Sequence, residues 1–178
     1  MKTHIQVSLF FVLALLLTAC ASTARDPGVS LSPEHAASLM AINDNLIVPG
    51  ERIGSIFIGM TEAELYKTMG DPSRTVRGDD GTWLRYRYDS AHLSVQVNPS
   101  THKVNVIDNY QIDYFPYATR EGVAIGWSEL HLQTLPWTLT WKKHHPDPQQ
   151  PCWTFQYTGI RIGSCDGKIV SITVHSPR

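Results

Sequence analysis

The segment from Ile53 to Pro72 constrains this chain most, because local chemistry within it specifies both ends of a short helix. Thr61 followed by Glu64 forms a capping box, in which a hydroxyl and a carboxylate each satisfy an orphan amide at the helix start. Gly70 is placed to stop the helix with positive φ, and Pro72 prevents continuation. The spacing predicts about two helical turns between these signals, with Ala63, Leu65 and Met69 on the apolar face.

Strand signals follow. Arg74 to Arg77 is short, and Thr82 to Tyr88 is rich in aromatic and β-favouring residues. Leu93, Val95 and Val97 alternate with Ser94 and Gln96, and Val104 and Val106 flank Asn105 beyond a Pro99-Ser100-Thr101 turn. A helix followed by a four-stranded meander is the expected arrangement. Val123-Ala-Ile-Gly126-Trp127-Ser128-Glu129 then echoes Phe57-Ile-Gly59-Met60-Thr61-Glu62 at an offset of 126 − 59 = 67 residues. Ser128 would cap a second short helix ending before Pro136, and Trp137 to Trp141 reads as a strand. Trp153 to Tyr157 echoes Trp83 to Tyr88, and Lys168 to Ile172 echoes Lys103 to Ile107. A fixed order with drifting spacing predicts a degenerate duplication; two unrelated β-rich stretches stay open as the alternative, because few residues are identical. The expected fold class is α+β, as two tandem units of a short helical segment plus a four-stranded antiparallel sheet. The expected boundaries are an N-terminal helix and linker over 33–50 (the helix over 33–45), a first unit over 51–110, and a connector with the second unit over 111–178.

The N-terminus carries an address. Lys2, the apolar run Ile5 to Leu17 and small residues before Cys20 describe a secretory signal over 1–19. The run is too short for a spanning helix, which needs roughly 20 apolar residues. Residues 20–32 read as a tether, reaching some 40 Å when extended at about 3.3–3.6 Å per residue. Cys152 and Cys165 are an even pair, and the spacing predicts a disulfide across a hairpin rather than a redox or zinc site.

Without residues 1–19 the chain keeps 14 basic and 16 acidic residues, a formal charge of 14 − 16 = −2. No Lys/Arg cluster occurs, which argues against nucleic acid as a partner. Phosphate loops, nucleophile elbows and His-Glu-x-x-His are absent from the sequence, so no catalytic residue, metal or cofactor is expected. His144-His145-Pro146-Asp147 offers metal or acid–base chemistry, but its flanking prolines predict an exposed loop. Asp79-Asp80-Gly81 is ordinary turn chemistry. Ten aromatics crowd between Tyr110 and Tyr157. Trp153, Phe155 and Tyr157 alternate and are expected in the core, whereas Tyr114, Phe115 and Tyr117 are the candidate partner contacts.

Two resemblances give these features a setting. Leu17-Thr-Ala-Cys20 resembles the lipobox of bacterial lipoproteins, which implies acylation (palmitate included) of Cys20 as the first mature residue. Several chains, at about 0.8 kcal/mol per buried methylene, anchor stably; an ordinary secretory signal is the alternative. Ala21, where an Asp would retain an enterobacterial lipoprotein in the inner membrane, implies the outer membrane by the same resemblance. Gly59-Met60-Thr61 and Gly70-Asp71-Pro72 resemble the SmpA/OmlA lipoprotein and β-lactamase inhibitory protein superfamily, over about Gly54 to Val106 and more weakly over Val123 to Val174. The second stretch departs from it at Trp127 and Pro136. The resemblance implies a periplasm-facing, non-enzymatic protein that binds an envelope protein, either in envelope assembly or as an inhibitor or immunity protein against a periplasmic hydrolase. A hydrolase using the His144-His145 loop is the contrasting expectation.

Overall fold

A computed structural model describes residues 44–110, 117–143 and 152–177. Four short strands, β1 (Leu46–Val48), β2 (Arg52–Ile53), β3 (Ile56–Phe57) and β8 (Ala118–Thr119), form a small sheet in the order β3-β2-β1-β8. Eight longer ones form the second sheet: β4 (Arg74–Arg77), β5 (Leu84–Tyr88), β6 (Leu93–Asn98), β7 (Lys103–Asn109), β9 (Thr140–Lys143), β10 (Cys152–Tyr157), β11 (Ile160–Cys165) and β12 (Lys168–His175). Their order is β4-β5-β6-β7-β12-β11-β10-β9, and every neighbouring pair is antiparallel.

The α+β expectation of two tandem units is overturned. The chain is mostly β, and its two meanders are one continuous sheet. β7 pairs with β12 from Asn109↔Ile172 to Val106↔His175. Joining these two strands satisfies backbone groups that separate sheets would leave on open edges. A single buried cluster confirms the merger, since Tyr86, Val95 and Ile107 pack in one core with Ile160, Ile172 and Val174. Ile53, Ile56 and Phe57 of the small sheet belong to the same core, at 0%, 0% and 1% exposure.

Among the described residues one α-helix is present, α1 (Glu62–Met69). The Glu64 amide donates to Thr61 Oγ1 at 3.3 Å, and the Thr61 amide donates to Glu64 Oε2 at 2.8 Å. Gly70 ends the helix at φ 72° and ψ −159°, a region that side chains avoid. Leu65 is fully buried and Met69 packs on the core, but Ala63 is exposed, so the apolar face is narrower than expected.

The expected second helix is a 3-10 segment over Glu129–Thr134. Ser128 accepts the Leu130 amide at 3.3 Å, but position N3 holds His131 rather than a carboxylate. The His131 ring lies 3.1 Å from the Glu121 carbonyl and against Trp127, so it does not return to the cap. Pro136 follows where the first segment has its glycine stop, and the coil tightens instead of continuing. The strand expected over Trp137 to Trp141 begins at Thr140. Of the expected helix at 33–45, residues 33–43 lie outside the described residues, and Asp44 and Asn45 are not helical.

Gly50 and Gly159 lock the small sheet to the β10–β11 turn. Gly50 N–H donates to the Gly159 carbonyl at 2.9 Å. A Cβ on Gly159 would lie 2.3 Å from the Gly50 Cα, and Gly159 has φ 74°, so a side chain is excluded twice over. Arg52, 6% exposed, ties the same region together through Asp44 Oδ1 at 2.7 Å and the Gly54 carbonyl at 2.8 Å.

Candidate functional site

Strand alternation divides the long sheet into two chemically different faces. Tyr86 and Tyr88 enter the core, so Arg85 and Arg87 stand on the other side. Register extends that second face across all eight strands. Arg74, Arg87, Ser94, Asp108, Thr173, Arg161, Gln156 and Thr140 oppose one another in turn. Every position of the row is polar. With Arg85 from the neighbouring row, its charges are four arginines against one aspartate, 4 − 1 = +3, on a chain whose formal charge is −1.

Aromatic rings hold the arginines. The Arg85 guanidinium lies 5.3 Å from the Trp83 ring centroid, and that of Arg87 lies 4.8 Å from the Tyr110 ring. Both are within cation–π range. Trp83 is seated over Gly78, where a Cβ would stand 2.7 Å from the indole. Arg87 donates from Nε and Nη2 to the Tyr110 hydroxyl at 3.2 and 3.1 Å, and that hydroxyl donates to Asp89 at 3.1 Å. Burial pushes the Tyr110 phenol above its ordinary range. Asp108 accepts the Thr173 hydroxyl at 2.7 Å and lies 3.9 Å from Arg85 Nη2.

These residues enclose a concavity of about 380 Å³, lined by Trp83, Arg85, Arg87, Ser94, Asp108 and Tyr110 together with Val76, Ser171 and Thr173. Ser94 is 5% exposed, and its hydroxyl and the Arg85 Nε have no hydrogen-bond partner among the described residues. A second concavity of about 510 Å³ is mostly apolar and lies at the second half's end of the core, between the 3-10 segment and β10. Leu132, Leu135, Trp137, Trp153 and Phe155 line it beside Glu129. Trp137 stacks on Tyr157 at 5.2 Å and 6°.

The residues singled out in the sequence distribute differently. Cys152 and Cys165 are joined by a disulfide, opposite each other across β10 and β11. Tyr117 is half-buried, packed against the core with its ring over Gly54. Cys20, Tyr114, Phe115, His144, His145 and Asp147 lie outside the described residues. Asp80 accepts from the Thr82 amide and hydroxyl at 3.0 and 2.8 Å, which is turn chemistry. Phe155 and Tyr157 pack on the core. The cationic row was missed, although the alternation Trp83-Leu-Arg85-Tyr-Arg87-Tyr carries its signal.

No family model matches the chain, and no curated protein matches it. Two solved structures are similar in part. One is an extracellular protein containing a SCP domain from Bacillus anthracis str. Ames, 14% identical, with a TM-score of 0.43 over 67% of this chain and 44% of that one. The chain thus spans less than half the length of that protein. The other is a DUF4309 family protein from Bacillus subtilis subsp. subtilis str. 168, 14% identical, with a TM-score of 0.37 over 65% of this chain and 78% of that one. Neither is an SmpA/OmlA lipoprotein or a β-lactamase inhibitory protein. Among the described residues, no helix is long and apolar enough to cross a membrane.

Proposed function

We propose that this protein is a lipid-anchored binding protein of the bacterial envelope, whose polar sheet face docks an acidic protein partner. The observation that carries the reading is the polar row from Arg74 to Thr140, centred on arginines held by Trp83 and Tyr110. Trp, Tyr and Arg are the residue types that dominate contact energies in protein interfaces. A local charge of +3 on a near-neutral chain selects an acidic complement and steers its approach. The disulfide supports an oxidising compartment. The lipobox-like ending at Cys20 supports the anchor, and Ala21 supports the outer membrane facing the periplasm. Envelope assembly is the role we favour, on the resemblance of Gly59-Met60-Thr61 and Gly70-Asp71-Pro72 to the SmpA/OmlA motif alone, since the two-unit architecture is not kept.

Capture from solubilised envelopes tests this when it is made dependent on charge. Arg74→Glu with Arg161→Glu reverses two exposed positions of the row without touching the core. The captured partner is expected to associate about tenfold more slowly with this variant. Lysines replacing the partner's acidic residues should restore it. Equal capture by the wild type and the reversed variant would rule out docking on this face. Recovery of a periplasmic hydrolase that the protein inhibits would turn the assembly role into an inhibitory one.

A further inference from the structure

We propose that the concavity over Ser94 is a carboxylate site, filled by an aspartate or glutamate side chain of the docked partner. The inference rests on the reading of the sheet face as a docking surface and names what that surface recognises at its centre. Two residues that line this space each carry a buried donor without a partner among the described residues, the Ser94 hydroxyl and the Arg85 Nε–H. Buried polar groups in a native fold are normally paired, and leaving a donor unpaired costs stability. A pair of unmet donors lining one concavity therefore points to an acceptor that arrives from outside.

Charge selects the kind of acceptor. The lining carries Arg85, Arg87 and Asp108, a formal sum of 2 − 1 = +1. That balance fits a monoanion, whereas Asp108 opposes a phosphate dianion. The two guanidiniums also differ in availability. Arg87 already donates twice to Tyr110 and lies 3.4 Å from Asp89. Among the described residues Arg85 has only the 3.9 Å approach of Asp108, and its guanidinium is oriented by Trp83. A planar carboxylate can accept from two guanidinium N–H groups at once, and charge-assisted bonds of this kind are the stronger ones. Ser94 then completes the site from the floor of the sheet.

Propionate, a monoanion with one carboxylate, is a suitable soluble probe, titrated into the full chain in detergent micelles while the Asp108 backbone amide resonance, which survives in every variant below, is followed by NMR. A saturable shift is expected, absent with propionamide and with chloride at the same ionic strength. Arg85→Gln should abolish it, and Ser94→Ala should weaken binding about tenfold, as for a hydrogen bond to a charged group. Without ligand, Ser94→Ala should unfold at the same temperature as the wild type or higher, because it removes an unpartnered buried hydroxyl. A Ser94→Ala variant that is more stable yet binds propionate unchanged overturns the site, as does a response that chloride reproduces. The two readings fail separately. Propionate binding with charge-independent capture removes the docking reading and leaves the site. Charge-dependent capture without any propionate response does the reverse.

Discussion

Two segments enter the long sheet through the same backbone contacts and then diverge. Gly59 N–H donates to the Val104 carbonyl at 2.7 Å, and Gly126 N–H donates to that of Ile169 at 2.6 Å. The Met60 carbonyl accepts from Val104 and the Trp127 carbonyl from Ile169, each at 2.8 Å. Glu62 N–H reaches the His102 carbonyl, and Glu129 N–H that of Gly167, both at 2.9 Å. Beyond this frame the first segment becomes α1, whereas the second stays a 3-10 turn with Trp127 49% and Leu130 63% exposed. Identical anchoring with different outcomes shows that the frame alone does not select the helix type. The cap and stop residues are where the two segments differ, and they are the expected cause.

If that lesson holds, the two segments should differ in how much stability they carry. Leu65→Ala removes a fully buried side chain beneath a capped helix, with an expected loss of about 4 kcal/mol by urea unfolding. Leu132→Ala, also buried but lining the apolar concavity, should lose about 2 kcal/mol, because a site already open on one side can relax. Equal losses would break the contrast. Between these lies the disulfide, whose cysteines are 13 residues apart in the second half. Replacing both by Ala should cost about 3 kcal/mol, as expected for a short closed loop.

How much of this was legible depended on how local the determinant is. The capping box, the Gly70 stop, β4 at its observed bounds and the cysteine pair are set by residues a few positions apart, or by pairing rules that composition reveals. The merger of the two meanders was not legible, because Asn109 meets Ile172 across more than sixty residues and either edge could have stayed open. Nor was the small sheet, whose strands of two or three residues are too short to show a period. The polar face was half legible. Arg85 and Arg87 alternate with tyrosines in plain view, but only register brings Arg161 and Thr173 into the same row.

The caps themselves give a smaller test of the same comparison. Thr61→Ala removes one side of a reciprocal box and should cost about 1 kcal/mol. Ser128→Ala, which removes a single 3.3 Å contact at an exposed 3-10 start, should cost about half as much. Introducing His131→Glu asks whether the missing carboxylate is the cause of the divergence. If the box is sufficient, helical circular dichroism should rise slightly and Ser128→Ala should become as costly as Thr61→Ala. An unchanged spectrum would shift the explanation to Pro136.

The finest expected difference is in acid response. The Glu62 carboxyl is held below its ordinary value, first by the Tyr86 hydroxyl that donates to it and then by His102, whose Nδ1 lies 2.9 Å away. A carboxyl whose folded value is depressed contributes stability that is present above its unfolded value, near 4.5, and that disappears as pH falls through the lower folded value. Urea midpoints measured from pH 7 down to 3 should therefore fall below about pH 4.5 in the wild type. Glu62→Gln should flatten that part of the fall, and Tyr86→Phe should flatten it nearly as much, because the phenol is the larger cause. His102→Ala should flatten it less. A wild-type acid profile that Tyr86→Phe leaves unchanged would show that the phenol does not hold the carboxyl. The link between α1 and β5 would then rest on packing, with Tyr66 set edge-on to Tyr86 at 5.6 Å.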